Sequence, residues 1–215
     1  PGEDWIQDAA MHDSEHSLEA LVYYLRHGRP DLEIVPILVP AASFPRLREL
    51  AEHLGKALAS GLRSRGWRLG RDVAVVISTD GVHYGQDFRY TPFGEGGVEA
   101  YVRAADQDRS LLRGWLAGPV EPEKVRRAYE AFVDPENPDL YRLTWCGRFA
   151  VPLGMLLLES TARVLGRDRP VGHPVAYATS VGSPELPIRE LGLGPTAPAN
   201  LYHFVGYPAV AFTAR

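Results

Sequence analysis

Asp80, Gly81 and His83 lie within four residues, directly after the apolar run VAVVI at 73–77. A carboxylate three residues from an imidazole can work as an acid/base pair, or it can supply two metal ligands. Asp80 can equally cap the following turn with His83 packed beside it, because loop carboxylates often bond neighbouring amides. A second reactive atom comes from Cys146, the one cysteine of the chain. It offers a soft metal ligand, an activated thiol or simply a small buried side chain. Glu15 and His16 bring a further carboxylate and imidazole to a predicted helix entrance, where capping and a hydrogen bond also account for them. His12 adds an HxxxH spacing, a weak metal signal without a third ligand. Tyr84, beside His83, is a further pocket candidate, whereas His27, His53, His173 and His203 show no pattern and read as surface or structural residues.

These side chains need elements to hold them. The unalternated run at 73–77 fits a strand buried on both faces of a parallel sheet, and it delivers Asp80 and His83 to the loop where open α/β sheets place ligands. Residues 32–39, LEIVPILV, read as another buried strand, with Pro36 at a bulge, edge or end. Between them, a helix opened by Phe44-Pro45 carries Leu47, Leu50, Ala51, Leu54, Leu58 and Leu62 on one face, which implies a parallel right-handed crossover. An earlier helix is signalled by the polar residues 13–17 and stopped by Gly28-Arg29-Pro30, while residues 1–12 show no apolar period. Residues 98–116, 122–133 and 149–166 read as helices, the last placing Cys146 at a helix N-terminus where a thiolate is favoured. Residues 173–180 and 207–213 read as strands joined by a long Gly- and Pro-rich loop at 182–198. The expected fold class is one α/β domain over 1–215, with a central, mostly parallel sheet flanked by helices.

With 215 residues, 45% of them hydrophobic and 23% charged, the composition is that of an ordinary globular domain. A formal charge of −4 provides no basic field for nucleic acid. A lone cysteine excludes an internal disulfide, and no apolar run reaches the roughly 18 residues of a membrane span. With no basic-then-apolar leader in view, a cytoplasmic protein with no membrane partner is expected. The sequence has no P-loop, no GxGxxG after a strand and no GxSxG elbow.

Three segments carry a resemblance. EHSLEALVYYL followed by IVPILVP, then VVISTDGVHYGQDFRY, then WCGRFAVPLGMLL together resemble the Memo family, also known as protein B of the AmmeMemoRadiSam system. Its fold is similar to the class III extradiol ring-cleaving dioxygenases. The resemblance implies that His83 faces a metal pocket as the acid/base histidine, that Asp80 is the nearby acid, and that Cys146 joins two histidines in holding iron or, alternatively, copper. His16 matches a motif position. The two histidines belong to an N-terminal half of the family pattern that has no counterpart here, so this chain alone is expected to hold an incomplete ligand set or no metal. Its sheet would lack the first strands and need an oligomeric contact or partner subunit to complete it.

The leading expectation is a metal-dependent redox protein of the dioxygenase type, with His83 moving a proton and Asp80 setting its tautomer. The rival is a non-catalytic module that grips a small molecule or peptide, or serves as a subunit of a hetero-oligomer. A thiol enzyme pairing Cys146 with His83 is a third expectation, and it requires the two side chains within hydrogen-bond reach.

Overall fold

The first helix is set by Asp8, whose side chain accepts a hydrogen bond from the Met11 amide and starts α1 (Ala9–Ser14) inside the stretch that shows no apolar period. In the computed structural model, which describes residues 5–140, 142–182 and 199–214, α2 (Glu19–Gly28) and the long α3 (Phe44–Arg65) follow. Gly66, at φ 65°, ends α3 in the left-handed conformation that a side chain would resist. Next come β1 (His83–Tyr84), α4 (Val98–Leu111), β2 (Gly118–Pro119), α5 (Pro122–Phe132), α6 (Ala150–Leu165), β3 (Val171–Thr179) and β4 (Phe204–Thr213). The expected helix at 98–116 is therefore α4 extended by a wider π-helical turn at Leu112–Leu116. The expected loop at 182–198 lies outside the described residues, except for Gly182.

The four strands form one sheet in the order β1-β4-β3-β2, and every pair is antiparallel. A long β3/β4 ribbon is its body, with a register shift between Pro174 and Ala176 where the strand proline sits. The mostly parallel sheet expected from sequence is not what these ladders make. Residues 32–39 and 73–77 join no ladder among the described residues, apart from a single parallel bridge between Leu69 and Val73. Nor are residues 73–77 buried on both faces: Val73, Val75 and Ile77 turn partly inward, while Ala74 and Val76 face out.

The main core gathers the inner faces of α3, α5 and α6 around Leu47, Phe132, Trp145 and Met155, with Val75 and Ile77 packed against it. α6 is apolar almost all round and correspondingly buried, as such helices must be. A smaller cluster of Val82, Tyr84, Ala100, Ala104 and Phe204 fixes α4 against β1 and β4. No described helix is long and apolar enough to cross a membrane.

Candidate functional site

Two segments sixty residues apart meet here. The His83 amide donates to Thr144 Oγ1 at 2.9 Å, and that hydroxyl donates back to the His83 carbonyl at 2.9 Å. His83 Nδ1 lies 2.8 Å from the Thr144 carbonyl and 3.2 Å from that of Gly81. Carbonyl oxygens only accept, so Nδ1 carries the ring proton and Nε2 of the neutral ring presents its lone pair. Thr144, rather than Asp80, thus sets the tautomer. Asp80 stands on the other side, its Oδ2 3.7 Å from Nε2, an ion-pair distance longer than a hydrogen bond.

Cys146 reaches the same loop. The Asp80 amide donates to its Sγ at 2.9 Å, and the Gly147 amide donates to Thr79 Oγ1 at 3.1 Å. A Cβ on Gly147 would come within 2.4 Å of the Thr79 side chain, so this close approach depends on glycine. Cys146 precedes the first turn of α6, which is capped at Phe149. Although the residue keeps an exposed face, burial around the sulfur pushes the thiol up, and the Asp80 charge adds to this against the amide donors. The thiolate expected at a helix N-terminus is therefore not favoured, because desolvation outweighs the amides. Nor is there a hydrogen bond between His83 and Cys146 among those of the described residues, and the thiol-enzyme expectation loses its geometric basis.

Desolvation also raises the Asp80 carboxyl, against the charges of His83 and His16. His16 is thus electrostatically part of this neighbourhood, delivered by a segment whose Ser17 carbonyl accepts from Ser78 Oγ at 2.7 Å. Glu15 instead turns to its own backbone: its Oε1 accepts from the Ser17 amide at 2.7 Å, the bond that chiefly lowers its carboxyl. Tyr84 is not part of this site. Successive strand residues point to opposite faces, so while His83 looks toward Thr144, Tyr84 is fully buried, stacked 4.9 Å from Phe204 and donating to the Gly94 carbonyl.

Sequence reasoning missed several neighbours. Phe88 places its ring edge-on to His83 at 5.0 Å and packs on His203 at 4.7 Å, and His203 pairs with Asp87 at 3.2 Å. The aromatic tail of the motif was the available signal for Phe88, while nothing local marks His203. Tyr207 of β4 borders the site closely enough for the Asp80 charge to help raise its hydroxyl, after burial. Asp108 is buried and accepts three hydrogen bonds, from the Val82 amide, Trp145 Nε1 and Tyr177 Oη. Burial raises its carboxyl, opposed by those donors and by the His83 charge. Its signal was legible: it falls at helical spacing with Ala100, Ala104 and Leu111 on the buried face of α4.

The site can hold and release a proton at Nε2, with Asp80 placed to stabilise the resulting imidazolium. Cys146, His83 and Asp80 bring sulfur, nitrogen and oxygen donors, a mixture suited to a transition metal. Among the described residues, however, no group of three such side chains is arranged to hold one, so these donors are not a complete metal site.

The family model for Memo-like proteins matches residues 5–183. A MEMO1 family protein of Thermococcus kodakarensis is 33% identical over 110 residues, covering 49% of this chain and 35% of that protein. One from Pyrococcus furiosus is 29% identical over 156 residues, 69% of this chain and 46% of the relative. The protein MEMO1 of Xenopus laevis is 29% identical over 153 residues, 69% and 44% of the two chains. The chain spans less than half the length of these relatives. With the family match running through both segments that build the His83 and Cys146 site, this chain belongs to the Memo family.

Proposed function

We propose that this chain supplies the acid/base side of a Memo-type redox site of the dioxygenase kind, similar to the class III extradiol enzymes. The observation that carries this reading is the tautomer: with Nδ1–H held by the Thr144 carbonyl, His83 Nε2 is free to take a proton from a hydroxyl-bearing small molecule. Asp80, 3.7 Å from Nε2, then faces the imidazolium and favours it electrostatically. An iron or copper ion would take a soft ligand from Cys146, and the remaining donors would have to come from beyond the described residues. The test is metal analysis of the purified protein after exposure to ferrous iron and to copper, followed by oxygen uptake with catechol-type substrates. The expected result is about one metal per site in the complete protein, fewer in Cys146→Ser, and substrate-dependent uptake. Unchanged metal content in that variant removes Cys146 from the ligand set, and a well-folded, metal-free, inert protein removes the redox reading.

A second reading, a subunit or binding module that pairs with another polypeptide, is favoured by the segments at 32–39 and 73–77, which join no ladder among the described residues beyond one bridge at Val73. Val35, Ile34, Ile37 and Val76 are exposed there, Val35 by 87%. Segments outside any sheet ladder that expose apolar side chains offer a surface for strand addition. Sedimentation across a wide concentration range is expected to reveal self-association that Val35→Lys weakens. A monomer at every concentration, with no tight partner copurifying, counts against this reading.

A further inference from the structure

The two segments of the site are joined by their backbones and by His83, Thr144 and Cys146, but a third element reaches both from behind. Asp108 projects from α4. Its Oδ2 accepts from the Val82 amide at 2.9 Å and from Tyr177 Oη at 2.8 Å, while its Oδ1 accepts from Trp145 Nε1 at 2.7 Å. Val82 directly precedes His83, and Trp145 lies between Thr144 and Cys146. A single carboxylate therefore spans the two chain segments whose separation decides whether the Thr144 carbonyl meets His83 Nδ1. Space is kept for it: a Cβ on Gly81 or on Gly206 would stand 2.4 Å from Oδ2. These two glycines also bond across the site, the Gly81 amide donating to the Gly206 carbonyl at 2.7 Å and the Gly206 amide to the Val82 carbonyl at 2.8 Å.

We propose that Asp108 is the positioning residue of this site, its carboxylate clamping Val82 and Trp145 together so that His83 is held in the Nδ1–H tautomer with Nε2 free. The proposal rests on the reading of His83 as the acid/base group. A carboxylate suits the task because it only accepts, and three donors converge on it. An amide cannot replace it. If the Asn oxygen takes the place of Oδ2, its NH₂ meets the Trp145 N–H; if it takes the place of Oδ1, the NH₂ meets the Val82 amide and the Tyr177 hydroxyl. One arm of the clamp opens in either case. Tyr177, from β3, bonds the same carboxylate but lies in neither site segment.

The experiment is long-range ¹H–¹⁵N correlation of the imidazole nitrogens in the full chain, with exchange of the Nδ1 proton as second readout. The unmodified protein is expected to show His83 as the Nδ1–H tautomer. Asp108→Asn should shift it toward Nε2–H and speed Nδ1 proton exchange about tenfold, which corresponds to ~1.4 kcal/mol. Tyr177→Phe should leave both unchanged. A folded Asp108→Asn protein with the unmodified tautomer and exchange overturns the proposal, as does an equal shift in Tyr177→Phe, which would signify general loosening. Should Asp108→Asn fail to fold, Trp145→Phe removes the Oδ1 arm, and Phe132→Leu disturbs the same packing while leaving that arm in place: faster Nδ1 exchange in Trp145→Phe alone supports the clamp, and no change there or an equal change in both overturns it. The resting tautomer is read without turnover, so a shift in Asp108→Asn together with full activity in a His83 variant would sink the acid/base reading and leave the clamp standing.

Discussion

Truncating Trp145 to alanine is expected to lower the stability of the fold by about 3–5 kcal/mol, the usual range for removing a buried large aromatic. The indole is 1% exposed and stacks on Phe132 at a centroid distance of 5.1 Å. Its N–H is also one of three donors that offset the burial of the Asp108 carboxylate. Losing it adds the penalty of an under-satisfied buried group, on the order of 1–3 kcal/mol, so this position should fall toward the upper end of its class. Urea unfolding of the two proteins measures the difference as a lower midpoint at similar slope. A loss within about 0.5 kcal/mol, as for an ordinary surface change, would mean that Trp145 does not anchor the core as described.

The second large effect concerns chemistry. His83→Gln keeps a polar side chain of comparable reach but cannot exchange a proton, so under the proposed acid/base function any turnover of a hydroxylated substrate is expected to fall roughly 10²–10⁴-fold, the usual contribution of general acid–base catalysis. Asp80→Asn should lose less, because Asp80 only faces the proton held at Nε2, at 3.7 Å, and does not orient the ring. If the two variants lost activity equally, Asp80 would be sharing the proton rather than attending it. If His83→Gln turned over substrate as well as the parent, His83 would be a packing residue against Phe88 and Thr144, and the acid/base reading would end.

Local chemistry told much of this in advance. Phe44-Pro45 announced a helix because proline suits the first turn, and the leucine spacing behind it had to face a core. α5 and α6 were legible on the same grounds, and so was the family, through the motif around Asp80 and His83 and the later Cys146. α1 was not, because its single cap at Asp8 has no apolar period behind it to mark a helix. The run at 73–77 was misread as buried on both faces because apolar composition says nothing about which strands lie alongside. Pairing is a property of two segments, and a sequence shows one at a time.

By itself, then, the chain determined the helical faces, the two separate strand segments that become β3 and β4, and the presence of a carboxylate, an imidazole and a thiol in two short motifs, since all of these follow from neighbours a few residues apart. Folding in three dimensions decided what those groups do. The ring proton of His83 was assigned by a carbonyl sixty-one positions away, the thiol was pushed toward its neutral form by the packing around it, and the buried acid that grips both motifs came from α4. Hydrogen-bond direction and desolvation depend on which atoms face one another across the fold, and no spacing along the chain carries that information.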